Sequence, residues 1–131
     1  IRKTGNLTVN GKEVEATLKN ENQQLFEIKP DKQPIGAFEG RKNFTNHEIK
    51  LQKDDMIILF TDGFADQFGG PKGKKFFYKP FKRMLMNVAD KSVSEQQNVV
   101  EKTFYDWIAP KDPNGEATEQ IDDICVIGVR V

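Results

Sequence analysis

The chain has 131 residues, 20 basic and 20 acidic side chains, and only 37% hydrophobic residues. That is the size of one ordinary domain or part of one, long enough to bury about two thirds of its unfolded surface without disulfides or a structural metal. Zero net charge, no basic arm and a single Trp exclude the electrostatic footprint of a nucleic-acid binder, and no apolar run approaches the roughly 20 residues of a membrane helix. The start, Ile1-Arg2-Lys3-Thr4, has neither Met nor a signal segment and reads as a cut. The lone cysteine, Cys125, has no internal disulfide partner and suits a reducing compartment, so the expected location is the cytoplasm, with no membrane contact by this segment.

In chain order, Asn6 to Leu18 alternates around Asn10-Gly11, the strongest short hairpin signal. Gln24 to Lys29 and His47 to Leu51 read as further short strands, separated by the Pro30 to Gly36 breakers. Met56 to Phe60 is a continuous apolar run left through Asp62-Gly63, the pattern of a central strand buried on both faces. Gly69 to Gly73 predicts a mobile surface loop. A helix follows with Pro80 in its opening turn and Phe81, Met84, Leu85 and Val88 on one face. A second helix carries a capping box at Ser94 and Gln97 and an apolar stripe of Val100, Phe104, Trp107 and Ile108, and stops at Pro110. Residues 110 to 120 form a polar loop. The last strand, Ile124 to Val131, places Cys125, Ile127, Val129 and Val131 on one face, with Cys125 in the core. Strands first, two helices, then a closing strand predict an α+β fold with a largely antiparallel sheet and two helices packed on it.

Two acidic motifs stand at strand ends. Asp62 leaves the central strand into Gly63, and Asp122-Asp123 leads into the last strand. If these strands are antiparallel neighbours, the exit of one and the start of the other share an end of the sheet, and the carboxylates converge. Converging carboxylates repel unless a cation lies between them, and oxygen ligands suit Mg²⁺ or Mn²⁺. Spacing alone favours a plainer reading, a turn after one strand and a solvated approach to another.

The wording of the segments shifts that balance. Met56 to Asp66, Asp122 to Ile127, Lys29 to Gly36 and the block Phe64 to Leu85 together resemble the C-terminal half of SpoIIE-type serine/threonine phosphatases, relatives of protein phosphatase type 2C. The resemblance implies that residues 1–131 are the C-terminal portion of a single phosphatase domain, part of a type 2C-like β-sandwich, with its N-terminal part missing. It implies a binuclear Mn²⁺/Mg²⁺ centre whose metal-bound water attacks a phosphoserine or phosphothreonine, two ions lowering the water's pKa and neutralising phosphoryl charge. Asp62 matches the metal-binding Asp of the family's Asp-Gly motif, Gly63 its glycine, Asp122 the first acid of the C-terminal pair and Asp123 the second, supporting one. Asp66 occupies the acid position that ends the motif, with an outer-shell or auxiliary-metal role.

One departure matters. The family's upstream Asp-Gly-His-Gly-like motif is absent, the only histidine being His47, which reads as structural. Metal binding by this segment is therefore expected to be weak or absent, the segment alone inactive, and its unpaired strand edge prone to self-association. The implied parent is the output module of a bacterial signalling protein acting on a phosphorylated partner such as an anti-sigma-factor antagonist. The rival is a non-catalytic, degenerate phosphatase-fold module that binds a partner through the basic stretch of Lys72, Lys74, Lys75, Lys79, Lys82 and Arg83.

Overall fold

The computed structural model describes residues 1–110 and 115–131; the predicted polar loop at 110–120 lies partly outside these. The first hairpin forms as its sequence dictates: β1 (Leu7–Val9) and β2 (Lys12–Val14) pair antiparallel, and both turn residues take positive φ, 50° at Asn10 and 76° at Gly11. Those values are what a two-residue hairpin turn matched to strand twist requires. β3 (Leu18–Lys19) and β4 (Gln24–Leu25) form a second, shorter pair. The strand expected over Gln24 to Lys29 therefore ends at Leu25. The one expected at His47 to Leu51 reduces to a single bridge between Ile49 and Val9.

The pair that positions the acidic motifs is β5 (Met56–Phe60) against β8 (Val126–Arg130), antiparallel from Met56↔Arg130 to Phe60↔Val126. Between them in sequence lie α1 (Gly63–Asp66), the hairpin β6 (Phe68–Gly69) and β7 (Lys74–Lys75), α2 (Tyr78–Val88) and α3 (Val93–Ile108). The fold class is as expected, antiparallel strand pairs with helices packed on them, with one short helix more than the sequence suggests. No described helix is long and apolar enough to cross a membrane.

The core is aromatic. Phe64, Phe81, Leu85 and Phe104 are buried together, and Phe64 lies 4.8 Å from the Phe81 ring, 5.0 Å from Phe76 and 5.6 Å from Phe104, ring centre to ring centre. Phe81, Leu85 and Val88 of α2 fall on one face at helical spacing, and all three are buried. α3 begins two residues earlier than its sequence signal: Ser92, not Ser94, is the N-cap, and Glu95, not Gln97, completes a reciprocal capping box. Both Ser-x-x-Glu and Ser-x-x-Gln fit the motif. The box that forms is the earlier one, and α3 buries Gln96 and Phe104.

Three expectations about burial are corrected. β5 is not covered on both faces, since Leu59 is 62% exposed. The β8 face that carries Cys125, Ile127, Val129 and Val131 is the outer one, and Ile124 and Val126 pack towards the core instead. In both strands the helices cover one side only, and Ile57, Leu59, Ile127 and Val129 are cross-strand neighbours on the other. The stretch Gly69 to Gly73 is not a free loop but the turn of the β6–β7 hairpin, seated on α3. Gly70 N donates to the Trp107 carbonyl at 2.7 Å, and a Cβ on Gly69 or Gly70 would collide with Trp107. Trp107 thus packs on the hairpin and on Phe76, at 5.1 Å, rather than on the sheet.

A buried ion pair ties the start of the chain to β5. Arg2 donates to both carboxylate oxygens of Asp55 (Nε to Oδ1 2.9 Å, Nη2 to Oδ2 2.6 Å) and to the carbonyls of Asn6 and Lys50. Burial pushes the Asp55 carboxyl up, but the Arg2 guanidinium and the Gln52 amide outweigh it and hold it below the usual carboxylate value.

Candidate active site

The β5–β8 register decides where the acidic motifs lie. With Phe60 opposite Val126, the chain leaves β5 at the same end at which it arrives at β8. Thr61 fastens the two segments. Its amide donates to the Cys125 carbonyl at 3.0 Å, its hydroxyl donates to the Asp123 carbonyl at 2.9 Å, and the same hydroxyl accepts from Cys125 N at 3.0 Å. Asp62 and the Asp122-Asp123 pair are therefore neighbours in space, as the antiparallel argument requires.

Gly63 follows from that closeness. A Cβ at this position would stand 2.5 Å from the Asp123 carbonyl oxygen and 3.1 Å from its carbon, so the approach of the second acidic segment leaves no room for a side chain. Asp62 occupies the N-cap position of α1 but makes no capping hydrogen bond, and its carboxylate is exposed. Asp122 and Asp123 are also exposed, and Asp122 Oδ1 accepts from the Asp123 amide at 2.8 Å. Asp66 differs from the other three. It is half-buried and paired with Lys75, Oδ1 to Nζ 3.3 Å. The carboxylates leave an electrostatic mark on Tyr78, whose hydroxyl is pushed above the ordinary tyrosine value by burial and then by Asp66, Asp62 and Glu27.

Two openings flank this strand end. One, of about 180 Å³, is lined by Gly63, Asp66, Gln67, Phe68, Lys75 and Asp122 among others. The larger, of about 660 Å³, runs from Phe60, Thr61 and Asp62 past Tyr78 and Lys82 to Glu27, with Lys82 and Glu27 paired at 2.8 Å.

The donor set has the right chemistry for a hard divalent cation but not the number. Among the described residues, no three His, Cys, Asp or Glu side chains converge to hold a metal ion, whereas Mg²⁺ takes six oxygens in near-octahedral array. The described residues therefore do not by themselves complete a metal centre. His47 is exposed in the segment that bridges to β1, away from the acidic motifs.

Residues with no sequence signal also build the site. Gln67 is fully buried: its Nε2 donates to the carbonyls of Glu119 (2.8 Å) and Phe68 (3.0 Å), and its own carbonyl accepts from Trp107 Nε1 (3.0 Å) and Phe76 N (2.9 Å). It thereby ties α1 to the stretch leading to Asp122. A glutamine after a short acidic motif carries no pattern by which sequence reasoning finds it. Thr61 is equally silent, since its role depends on the register of β8.

The family model described as Stage II sporulation protein E (SpoIIE) matches residues 4–131. Among solved structures the chain is similar to the SiaA-PP2C domain of Pseudomonas aeruginosa, at 28% identity and a TM-score of 0.51 over 66% of this chain. The chain spans about a third, 34%, of the length of that relative. No curated protein sequence matches it. With the family model matching nearly every residue, and a PP2C domain as the structural relative, the chain belongs to the SpoIIE family of PP2C-like phosphatase domains.

Proposed function

We propose that this chain supplies part of the active site of a metal-dependent protein serine/threonine phosphatase, the output module of a cytoplasmic bacterial signalling protein. Its substrate would be a phosphorylated signalling partner such as an anti-sigma-factor antagonist. The observation that carries the reading is the Thr61 clasp, which holds Asp62 and Asp122 on adjoining segments at one end of β5–β8 with the Asp62 carboxylate unengaged. Hydrolysis of a phosphoserine ester forms a bond from water oxygen to phosphorus and breaks the ester P–O bond, and the seryl oxygen takes a proton. In this proposal Asp62 and Asp122 are ligands of an Mn²⁺ or Mg²⁺ centre whose remaining ligands come from outside the described residues, with Asp123 supporting them.

The test is phosphate release from phosphoprotein by the longest natural protein containing this sequence. Asp62→Asn or Asp122→Asn should remove most Mn²⁺-dependent activity while leaving the fold intact, and His47→Ala should leave it near normal. Wild-type turnover in either aspartate variant overturns the assignment.

A second reading, a non-catalytic interaction module, draws support from the absence of three convergent metal-type side chains among the described residues. Both readings expect the 131-residue chain on its own to stay at background with millimolar Mn²⁺. They part in the longer protein, which turns over only under the first. Self-association of the chain is part of the proposal, supported by the exposed row of Leu59, Ile127 and Val129.

A further inference from the structure

The β6–β7 hairpin is a basic element that borders the opening it shares with Asp122. Its seat is fixed by backbone and indole bonds: Gly70 N to the Trp107 carbonyl, Trp107 Nε1 to the Gln67 carbonyl, and Phe76 N to that same carbonyl. Gly70 and Gly73 take positive φ, 63° and 56°, where glycine alone is unstrained, and the hairpin turn closes with Gly73 N on the Gly70 carbonyl at 3.1 Å. Its basic side chains are therefore held on a rigid support, which lowers the entropy lost when they bind.

Lys75 points this charge at the site. Its register partner is Phe68, whose ring centre lies 5.8 Å from Nζ, and its ammonium is 3.3 Å from Asp66 Oδ1. Both members of that ion pair are over a third exposed, so the pair contributes little in water. An ammonium has three donors, and the pair engages one. Lys72 and Lys74 on the same hairpin, and Lys79 just beyond it, are exposed and form no ion pair among the described residues. The 180 Å³ opening thus has the Lys75–Asp66 pair on its hairpin side and Asp122 on the other, with Lys75 its one ammonium among the described lining residues.

We infer that Lys75 is a substrate-binding residue: it receives the phosphate of a phosphoserine or phosphothreonine side chain at the opening it shares with Asp122, with Lys72 and Lys74 favouring an acidic peptide around it. This rests on the phosphatase reading for the identity of the ligand. The dianion takes the Lys75 ammonium from Asp66, a singly charged and solvent-screened partner, with its ester side away from the hairpin lysines. A compact ammonium suits this task, giving a charge-assisted hydrogen bond to a phosphate oxygen.

The experiment is a titration of the longest natural protein containing this sequence, isotope-labelled, with O-phospho-L-serine, followed by amide chemical shifts, with L-serine as the control. Shifts should concentrate at Phe68 and at Gly73 to Phe76 and be absent with serine. Lys75→Gln should weaken binding about tenfold, the scale of one lost charge-assisted hydrogen bond, and Lys75→Arg should retain most of it. Lys102→Gln, on α3 and paired with Asp106, should change nothing. No shifts with the wild-type chain, shifts elsewhere, or equal affinity in Lys75→Gln overturn the inference. In the longer protein Lys75→Gln should raise KM for phosphoprotein more than it lowers kcat. An unchanged KM with intact turnover overturns the Lys75 role and leaves the phosphatase reading standing. Lys75-dependent phosphoserine binding without turnover does the reverse.

Discussion

The Thr61 hydroxyl donates to the Asp123 carbonyl and accepts from the Cys125 amide, so a single side chain holds the end of β5 to the segment that carries the second acidic motif. Removing it while keeping its shape, as in Thr61→Val, leaves both backbone groups without this partner. Amide exchange at Cys125 should accelerate and urea unfolding should show a loss of about 1 kcal/mol. Thr61→Ser, which keeps the hydroxyl, should behave close to wild type.

Gly63→Ala tests the close approach of the two acidic segments. The added methyl would stand 2.5 Å from the Asp123 carbonyl oxygen, and the obstacle is backbone rather than a side chain that swings away. The expected cost is about 1–3 kcal/mol, the range for overpacking, read in denaturant melts. In the longer protein it should depress activity more than the stability loss explains, because the strain displaces Asp123 itself.

The Arg2–Asp55 pair predicts acid sensitivity. The Asp55 carboxyl has its pKa lowered by folding, so its contribution is full above the unfolded value of about 4 and is lost as pH falls through the lower, folded value. Arg2→Ala leaves a buried carboxylate unpaired and should cost about 3–5 kcal/mol at neutral pH. Thermal melts from pH 7 to pH 3 should show the wild type losing stability on acidification and Arg2→Ala losing less, since the term that titrates is already gone.

Burial separates residues that look alike in sequence. Phe81 is fully buried among Phe60, Phe64 and Leu85, and Phe81→Ala should cost about 3–5 kcal/mol in a denaturant melt. Cys125, in an equally apolar run, is exposed in the single chain, and at dilutions where the chain is monomeric a thiol reagent should modify it without a lag for unfolding. Protection of Cys125 until the chain is denatured would show that its face of β8 is covered in solution.

The two long helices and the first hairpin were legible in the sequence because their signals are local. Phe81, Leu85 and Val88 repeat at helical spacing, and Asn10-Gly11 is a turn whichever fold surrounds it. The antiparallel pairing of Met56–Phe60 with Val126–Arg130, and with it the adjacency of the segments that carry Asp62 and Asp122, also followed from strand logic. Which face of β8 is covered did not, because apolar residues stand on both faces and alternation marks only that the faces differ. Packing against α2 and α3 chose Ile124 and Val126 over Cys125 and Ile127. Nor did the Ser92 cap follow from the sequence, where two overlapping motifs were available and the structure forms the earlier one. Arg2 with Asp55, Gln67 with Glu119 and Lys75 with Asp66 are charged or polar groups whose partners are set by where separate segments come to rest. Sequence determines local periodicity and turn geometry. Only the packed chain decides which side chains meet, since burial and pairing energies depend on neighbours far along the sequence.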